Sequence, residues 1–202
     1  MIYLASKSPR RTELLTQVKI DHEVIEIEIN ESLNPAASAK ENAENLSLQK
    51  CKEGIRHILS NKLPIFPVLA ADTMVLLGSD IFGKPESKDH AISMLMQLSG
   101  QVHSVISGVT IGVFSKDQAD FHSISAESFV EFGHISAFEC KKYCATQEPL
   151  DKAGAYGIQG YGSAFVRGIK GSYSNIVGLP IFELIELLKK LQIPYSSDPN
   201  CN

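Results

Sequence analysis

The sequence predicts an α/β protein built on a mixed, largely antiparallel central sheet with flanking helices, and three observations predict it. A short apolar run, residues 1–5, leads straight into a helix start at Ser8-Pro9. Residues 22–29 set Ile25, Ile27 and Ile29 against Glu26 and Glu28, the alternation of a half-buried strand. Two long β-type segments, 102–114 and 121–132, then follow one another directly. A strand–helix beginning followed by consecutive strands indicates a mixed sheet.

At 202 residues with 44% hydrophobic content, one domain spanning 1–202 is expected, as a single body or as two closely packed lobes. The tail after about residue 194 is polar. The net charge is -4 and Lys and Arg occur singly or in pairs, so no nucleic-acid partner is expected. No apolar run approaches the length of a membrane span. The chain begins with a core strand rather than a basic segment and apolar stretch, so no signal peptide is expected. Cys51, Cys140, Cys144 and Cys201 form no C-x-x-C pair, and the histidines show no zinc spacing. Free thiols imply a reducing compartment, and hence a cytoplasmic location.

In the first helix, Ser8 suits the N-cap and Pro9 the first helical position, where a missing N–H costs nothing. The helix continues through Leu14, Leu15 and Val18. Such a start aims unpaired N–H groups at the end of a strand, which suits a phosphate. Arg10 and Arg11 lie in the first turn, where cations oppose the helix dipole. An anionic ligand would offset that cost; two solvated arginines are the plainer alternative.

The 22–29 strand ends at Asn30-Glu31, before an Asn34-Pro35 turn. Glu31 therefore sits where ligands gather in open α/β sheets, and equally where surface carboxylates are common. Residues 36–59 read as a long helix, with Ala39, Ala43 and Leu46 on one stripe and Leu48, Cys51, Ile55 and Leu59 on the next. Lys50 falls at the edge of this apolar face, placed either to snorkel to water or to reach into a cleft.

After a linker at 61–64, residues 65–78 form a long β-type run with one charge in its middle, Asp72. A buried carboxylate is costly unless it is paired or binds a cation. A strand break that lets Asp72 reach water is the alternative; the functional reading is preferred. The chain turns at 78–80 and returns to Lys84, which hairpin geometry brings near the level of Thr73 and Asp72. Residues 87–98 form a helix with Ile92, Leu95 and Met96 inward, stopped by Gly100. Ser136-Ala137-Phe138-Glu139 fits a capping box opening a helix through Cys144.

Residues 151–162 hold four glycines, which let backbone approach a ligand closely. Gln159 there offers a donor and an acceptor, as needed to read a base edge. A strand at 164–169 and a turn at 171–175 follow. Pro180 opens a last helix with Ile181, Leu184, Ile185, Leu188 and Leu191 on one face.

Four basic residues (Arg10, Arg11, Lys50, Lys84) and two carboxylates (Glu31, Asp72) suit a polyphosphate with a hard divalent cation. There is no G-x-x-x-x-G-K-[ST], and no G-x-G-x-x-G follows the first strand.

Six blocks then carry a resemblance. Leu4-Ala5-Ser6-Lys7-Ser8-Pro9-Arg10-Arg11-Thr12-Glu13-Leu14-Leu15, Ala71-Asp72-Thr73, Gly83-Lys84-Pro85, the 98–103 segment, the 151–160 segment and the segment from Gly171 to Pro180 resemble, in order, the Maf family of nucleoside triphosphate pyrophosphatases. The resemblance implies an ITP pyrophosphatase-like α/β fold with two lobes around a long cleft. It implies hydrolysis of a nucleoside triphosphate to monophosphate and pyrophosphate with Mg²⁺, Mn²⁺ or Co²⁺, and a possible homodimer. The Gly-rich block is similar to that of the dTTP and UTP branch, which includes modified pyrimidine nucleotides. By that resemblance Asp72 is the proton acceptor, and Arg10, Thr73 and Gln159 set substrate specificity. Ser6, Arg11, Lys50 and Lys84 match substrate-binding positions, and Glu31 with Asp72 the metal. Whether Asp72 is base, metal ligand or both is left open. Ala71 stands where the family has glycine, and Leu48-Gln49-Lys50-Cys51 is a loose match around Lys50. The alternatives are a 7-methyl-GTP pyrophosphatase of the same family and a non-catalytic nucleotide-binding regulator of septum formation.

Overall fold

The computed structural model describes residues 1–115 and 118–195. In chain order the elements are β1 (Ile2–Ala5), α1 (Pro9–Gln17), β2 (His22–Ile25), α2 (Ala39–Ser60), β3 (Val68–Leu77), β4 (Asp80–Phe82), α3 (Lys88–Leu98) and β5 (Val102–Ser115). Then come β6 (Gln118–Phe132), α4 (Ala137–Cys144), three 3₁₀ turns within 148–165, β7 (Val166–Lys170), α5 (Tyr173–Val177) and α6 (Ile181–Lys190). The strands form one sheet in the order β2-β1-β3-β5-β6-β7, with β4 also on β3. The sheet is mixed: β1 runs parallel to β2 and β3, whereas β3–β4 and β6–β7 are antiparallel. This is the α/β class the strand pattern predicts. No helix among the described residues is long and apolar enough to cross a membrane.

The chain forms two compact units. Among the described residues, the first comprises those of Met1–Asp72, Ser107–Ala126 and 178–195. Its core joins Tyr3, Ala5, Ile25, Cys51, Ile55, Ile58, Val68 and Ala70. The second strand is shorter than its alternation predicts. Its partner β1 ends at Ala5, paired with Ile25, so residues 26–29 have no ladder to continue. Ile27 still packs on the core outside the strand.

Helix α2 begins at Ala39, three residues later than expected, because Ser38 caps it. The Ser38 hydroxyl accepts from Glu41 N at 3.2 Å, and Ser38 N donates to Glu41 Oε2 at 2.7 Å, a reciprocal capping box. The buried stripe is Ala43, Leu46, Cys51, Ile55 and Ile58, while Leu59, expected on it, is 57% exposed. Glycines let α2 lie close to the sheet. A Cβ on Gly54 would stand 2.8 Å from Val68, and one on Gly108 of β5 would stand 2.4 Å from the Ala43 carbonyl. Ser47 on α2 bonds Thr110 of β5 at 2.7 Å, so a buried hydroxyl pair also fixes the helix on the sheet, and Thr110 bonds Ser123 of β6 at 2.8 Å.

The second unit comprises Thr73–Ile106 and Glu127–Val177. Its core includes Phe82, Leu95, Leu98, Val130, Phe132, Tyr143 and Tyr156. Helix α3 is capped by Ser87. It buries Ala91, Met94, Leu95 and Leu98, and Met96, expected inward, is 42% exposed. The predicted capping box at Ser136 and Glu139 opens α4. The expected turn at 171–175 is instead the entry to a helical turn, α5. Ser172 Oγ accepts from Asn175 N at 3.3 Å. The buried Asn175 amide donates to Val105 O at 2.9 Å and to Ser128 Oγ at 3.0 Å, pinning that turn to the sheet. Cys51, Cys140 and Cys144 are free and buried; Cys201 lies outside the described residues.

Candidate active site

Strand β3 pairs with β1 at Val68 and Leu69, and with β4 at Val75 to Leu77. Asp72 and Thr73 fall between those paired stretches. Asp72 is 8% exposed. Its charge is matched by Lys50, whose Nζ lies 2.7 Å from Asp72 Oδ1 and 2.6 Å from Glu31 Oε1. One ammonium thus gathers two carboxylates from separate parts of the chain. The Lys50 and Asp72 side chains are 11% and 12% exposed, whereas Glu31 is 53% exposed. Of the two readings for Lys50, reaching inward is the one observed. The amine meets the carboxylates of Glu31 and Asp72 rather than water.

The turn from β1 into α1 is built on Ser6. Its hydroxyl accepts from Ser8 N at 3.2 Å and from Arg11 Nη1 at 3.0 Å. Ser8 holds the N-cap backbone position and Pro9 follows as predicted, yet the Ser8 side chain makes no capping bond. Arg11 is buried, and its Nε donates to Gly178 O at 2.9 Å. Burial lowers the guanidinium from its ordinary value; Asp72 counters that, Arg10 adds to it, and Glu31 counters it. Arg11 therefore belongs to the same electrostatic group as Asp72 and Glu31. Arg10 is half-buried in the first turn of α1.

Thr73, Lys84 and Gln159 belong to the second unit. Continuing the β3–β4 register (Val75 with Phe82) by two residues sets Lys84 opposite Thr73. Gly83 O accepts from Gly154 N at 3.2 Å, so the Lys84 turn is tied to the start of the Gly-rich segment. Lys84 and Gln159 are exposed and Thr73 is half-buried.

The Gly-rich segment differs from its expected use. Gly154 has φ +73° and lies against Val75. Gly157, Gly160 and Gly162 make room for Glu148 and Tyr143 rather than standing open. Glu148 Oε1 accepts from Tyr143 Oη at 2.8 Å and Gly162 N at 3.3 Å, and Oε2 accepts from Tyr161 N at 3.0 Å. Tyr143 Oη in turn accepts from Gly157 N at 3.0 Å. Glu148 is not among the candidates that the sequence offers. The run Glu148-Pro149 just before a glycine cluster was the signal available, an acidic residue at the start of a loop rich in backbone N–H donors.

An α/β protein with a carboxylate–ammonium–guanidinium group carried by β3, α2 and α1 is the class that fold and site define. The chain belongs to the Maf family: the family described as Maf-like protein matches residues 1–191. It is 42% identical over 187 residues to the dTTP/UTP pyrophosphatase of Yersinia pestis, covering 93% of this chain and 91% of that one. It is 43% identical over 187 residues to the dTTP/UTP pyrophosphatase of Chromobacterium violaceum, covering 93% and 92%. Against the protein of that name from Nitrosospira multiformis, identity is 40% over 200 residues, 95% of each chain. Among solved structures, the Staphylococcus aureus Ham1 protein is similar with TM-score 0.38 and 15% identity, over 65% of this chain and 71% of that chain.

Proposed function

We propose that this protein is a nucleoside triphosphate pyrophosphatase that hydrolyses dTTP and UTP to the monophosphate and pyrophosphate. The observation that carries the chemistry is the buried Asp72 carboxylate held on the Lys50 ammonium together with Glu31. The choice of substrate follows from the relatives named dTTP/UTP pyrophosphatase, each about 40% identical over nearly the whole chain.

In this reading Asp72 takes a proton from a water molecule. The water oxygen forms a bond to the α-phosphorus, the bridging P–O bond breaks, and pyrophosphate leaves. Arg10, Arg11, Lys50 and Lys84 neutralise the triphosphate, with Ser6 beside Arg11. Arg11 is pre-set for this by its bonds to Ser6 and Gly178. Thr73 and Gln159 select the substrate, Gln159 through the two-way hydrogen bonding of its amide.

The donor set fits a divalent cation. Glu31 and Asp72 converge on one ammonium, both through oxygen, the donor that hard cations take. Among the described residues no group of three or more acidic, His or Cys side chains could hold a metal, which leaves the other positions to phosphate oxygens and water. Glu31 and Asp72 would hold the ion, which when bound neutralises charge on the phosphoryl oxygens. Buried free thiols favour a reducing, cytoplasmic setting.

The test is pyrophosphate release from dTTP, UTP, CTP, GTP, ATP and 7-methyl-GTP with Mg²⁺, Mn²⁺ or Co²⁺. Preference for dTTP and UTP is expected. Turnover confined to 7-methyl-GTP would keep the enzyme class and overturn the substrate; tight nucleotide binding without release would favour a regulator.

A further inference from the structure

The Gly-rich segment around Gln159 is wrapped on a carboxylate. Three N–H or O–H groups point at Glu148: Tyr143 Oη, Tyr161 N and Gly162 N. A fourth donor, Gly157 N, reaches the same group through Tyr143 Oη. A Cβ on Gly160 would stand 2.5 Å from both Glu148 carboxylate oxygens, and one on Gly157 would stand 2.9 Å from Oε1. A Cβ on Gly162 would meet Tyr143 Oη at 2.8 Å. The glycines and the carboxylate are therefore complementary: a Cβ at these positions would force Glu148, Lys152, Tyr143 or the Gly157 carbonyl to shift. Tyr143 and Tyr161 stack at 5.8 Å and 17°, and Lys152 Nζ donates to Glu148 O at 2.7 Å. The backbone on both sides of Gln159 is thus tied to one anion, while Gln159 itself is exposed.

We propose that Glu148 is a positioning residue that fixes the 157–162 backbone, and so Gln159, in the conformation that selects the nucleobase. It acts through the loop and touches no reacting atom. This rests on the reading of Gln159 given above.

The choice of Glu over Gln follows from the donor count. All three partners donate, and a carboxylate is acceptor-only. A Gln at 148 would turn an NH₂ toward a donor on one side, so one bond is lost and replaced by a donor–donor conflict. The backbone would then shift, and base selection with it, while the Asp72–Lys50–Glu31 group in the other unit keeps its own partners.

The experiment compares Glu148→Gln, Gln159→Ala and the double variant, measuring kcat and KM for dTTP, UTP and CTP. Glu148→Gln is expected to lower the preference for dTTP and UTP over CTP by about tenfold, the worth of one hydrogen bond, through KM more than kcat. In the Gln159→Ala background it should lower the preference no further. Tyr143→Phe, which removes one donor to Glu148 and the acceptor for Gly157 N, should move the ratio the same way; circular dichroism confirms that each variant is folded. An unchanged ratio in both Glu148→Gln and Tyr143→Phe overturns the inference, as does an equal further loss in the double variant. If Gln159→Ala keeps its preference while Glu148→Gln loses it, the assignment of Gln159 fails and the role of Glu148 in the base-selecting loop stands.

Discussion

The Lys50 ammonium lies 2.7 Å from Oδ1 of Asp72, with about nine-tenths of each side chain withdrawn from water. A carboxylate in the middle of a strand is tolerated here because a cation from a different element meets it, and because Asp72 lies between the parts of β3 that pair with β1 and with β4. Glu31 shares the same ammonium at 2.6 Å, which brings a second carboxylate oxygen to the same point.

Removing Lys50 leaves Asp72 as a buried charge without its partner. Lys50→Met should destabilise the protein by about 3–5 kcal/mol, measured as the shift in denaturant midpoint at pH 7. Adding Asp72→Asn in the same chain should restore most of that loss, because no unmatched charge is then buried. A double variant as unstable as Lys50→Met would show that the ammonium matters for packing rather than for charge.

Gly108 governs how close α2, and so Lys50, comes to the sheet. A methyl group there would stand 2.4 Å from the Ala43 carbonyl, so the helix must move. Gly108→Ala should cost about 1–3 kcal/mol and lower kcat for dTTP. Wild-type stability and turnover would mean that the Ser47–Thr110 bond alone sets the helix position.

His103 gives the fold a pH dependence distinct from the active site. The ring is 1% exposed, bonded through Nε2 to Tyr156 Oη at 2.8 Å, and burial pushes its pKa down to about 4. Its folded value is below the unfolded one, so the unfolded chain binds the proton more readily. Stability is then fully present above about pH 6.5 and is lost as pH falls toward 4, by about 3 kcal/mol in all. Thermal melts at pH 7 and pH 5 should differ clearly in the wild type and less in His103→Asn. Equal pH sensitivity in the two proteins would remove His103 as the cause.

Legibility from sequence divides along a physical line. Asp72 stood out because one charge interrupts a long apolar run, a signal that needs no partner. The Ser136 capping box and the Ser8-Pro9 start are local patterns and readable too; the Ser38 and Glu41 capping box is equally local, and it sets the start of α2 three residues beyond the expected position. The length of β2 was not readable, since it depends on where β1 ends. Lys50 could have faced water or the site; its partners, Glu31 and Asp72, are 19 and 22 residues away in the chain. Glu148 carries only a weak local signal, an acidic residue just before a glycine cluster, because its role exists only once Tyr143, Tyr161 and Gly162 close on it. By sequence the glycines of that segment suit the close approach of a ligand, whereas in the fold three of them lie against that carboxylate and its tyrosine.

The central claim is that Asp72 is the proton acceptor for hydrolysis. The most direct measurement is pyrophosphate release from dTTP by Asp72→Asn, with circular dichroism to establish that the fold is kept. The account predicts a folded protein whose kcat falls by about a thousandfold or more. A folded Asp72→Asn variant that keeps most of its kcat would contradict it.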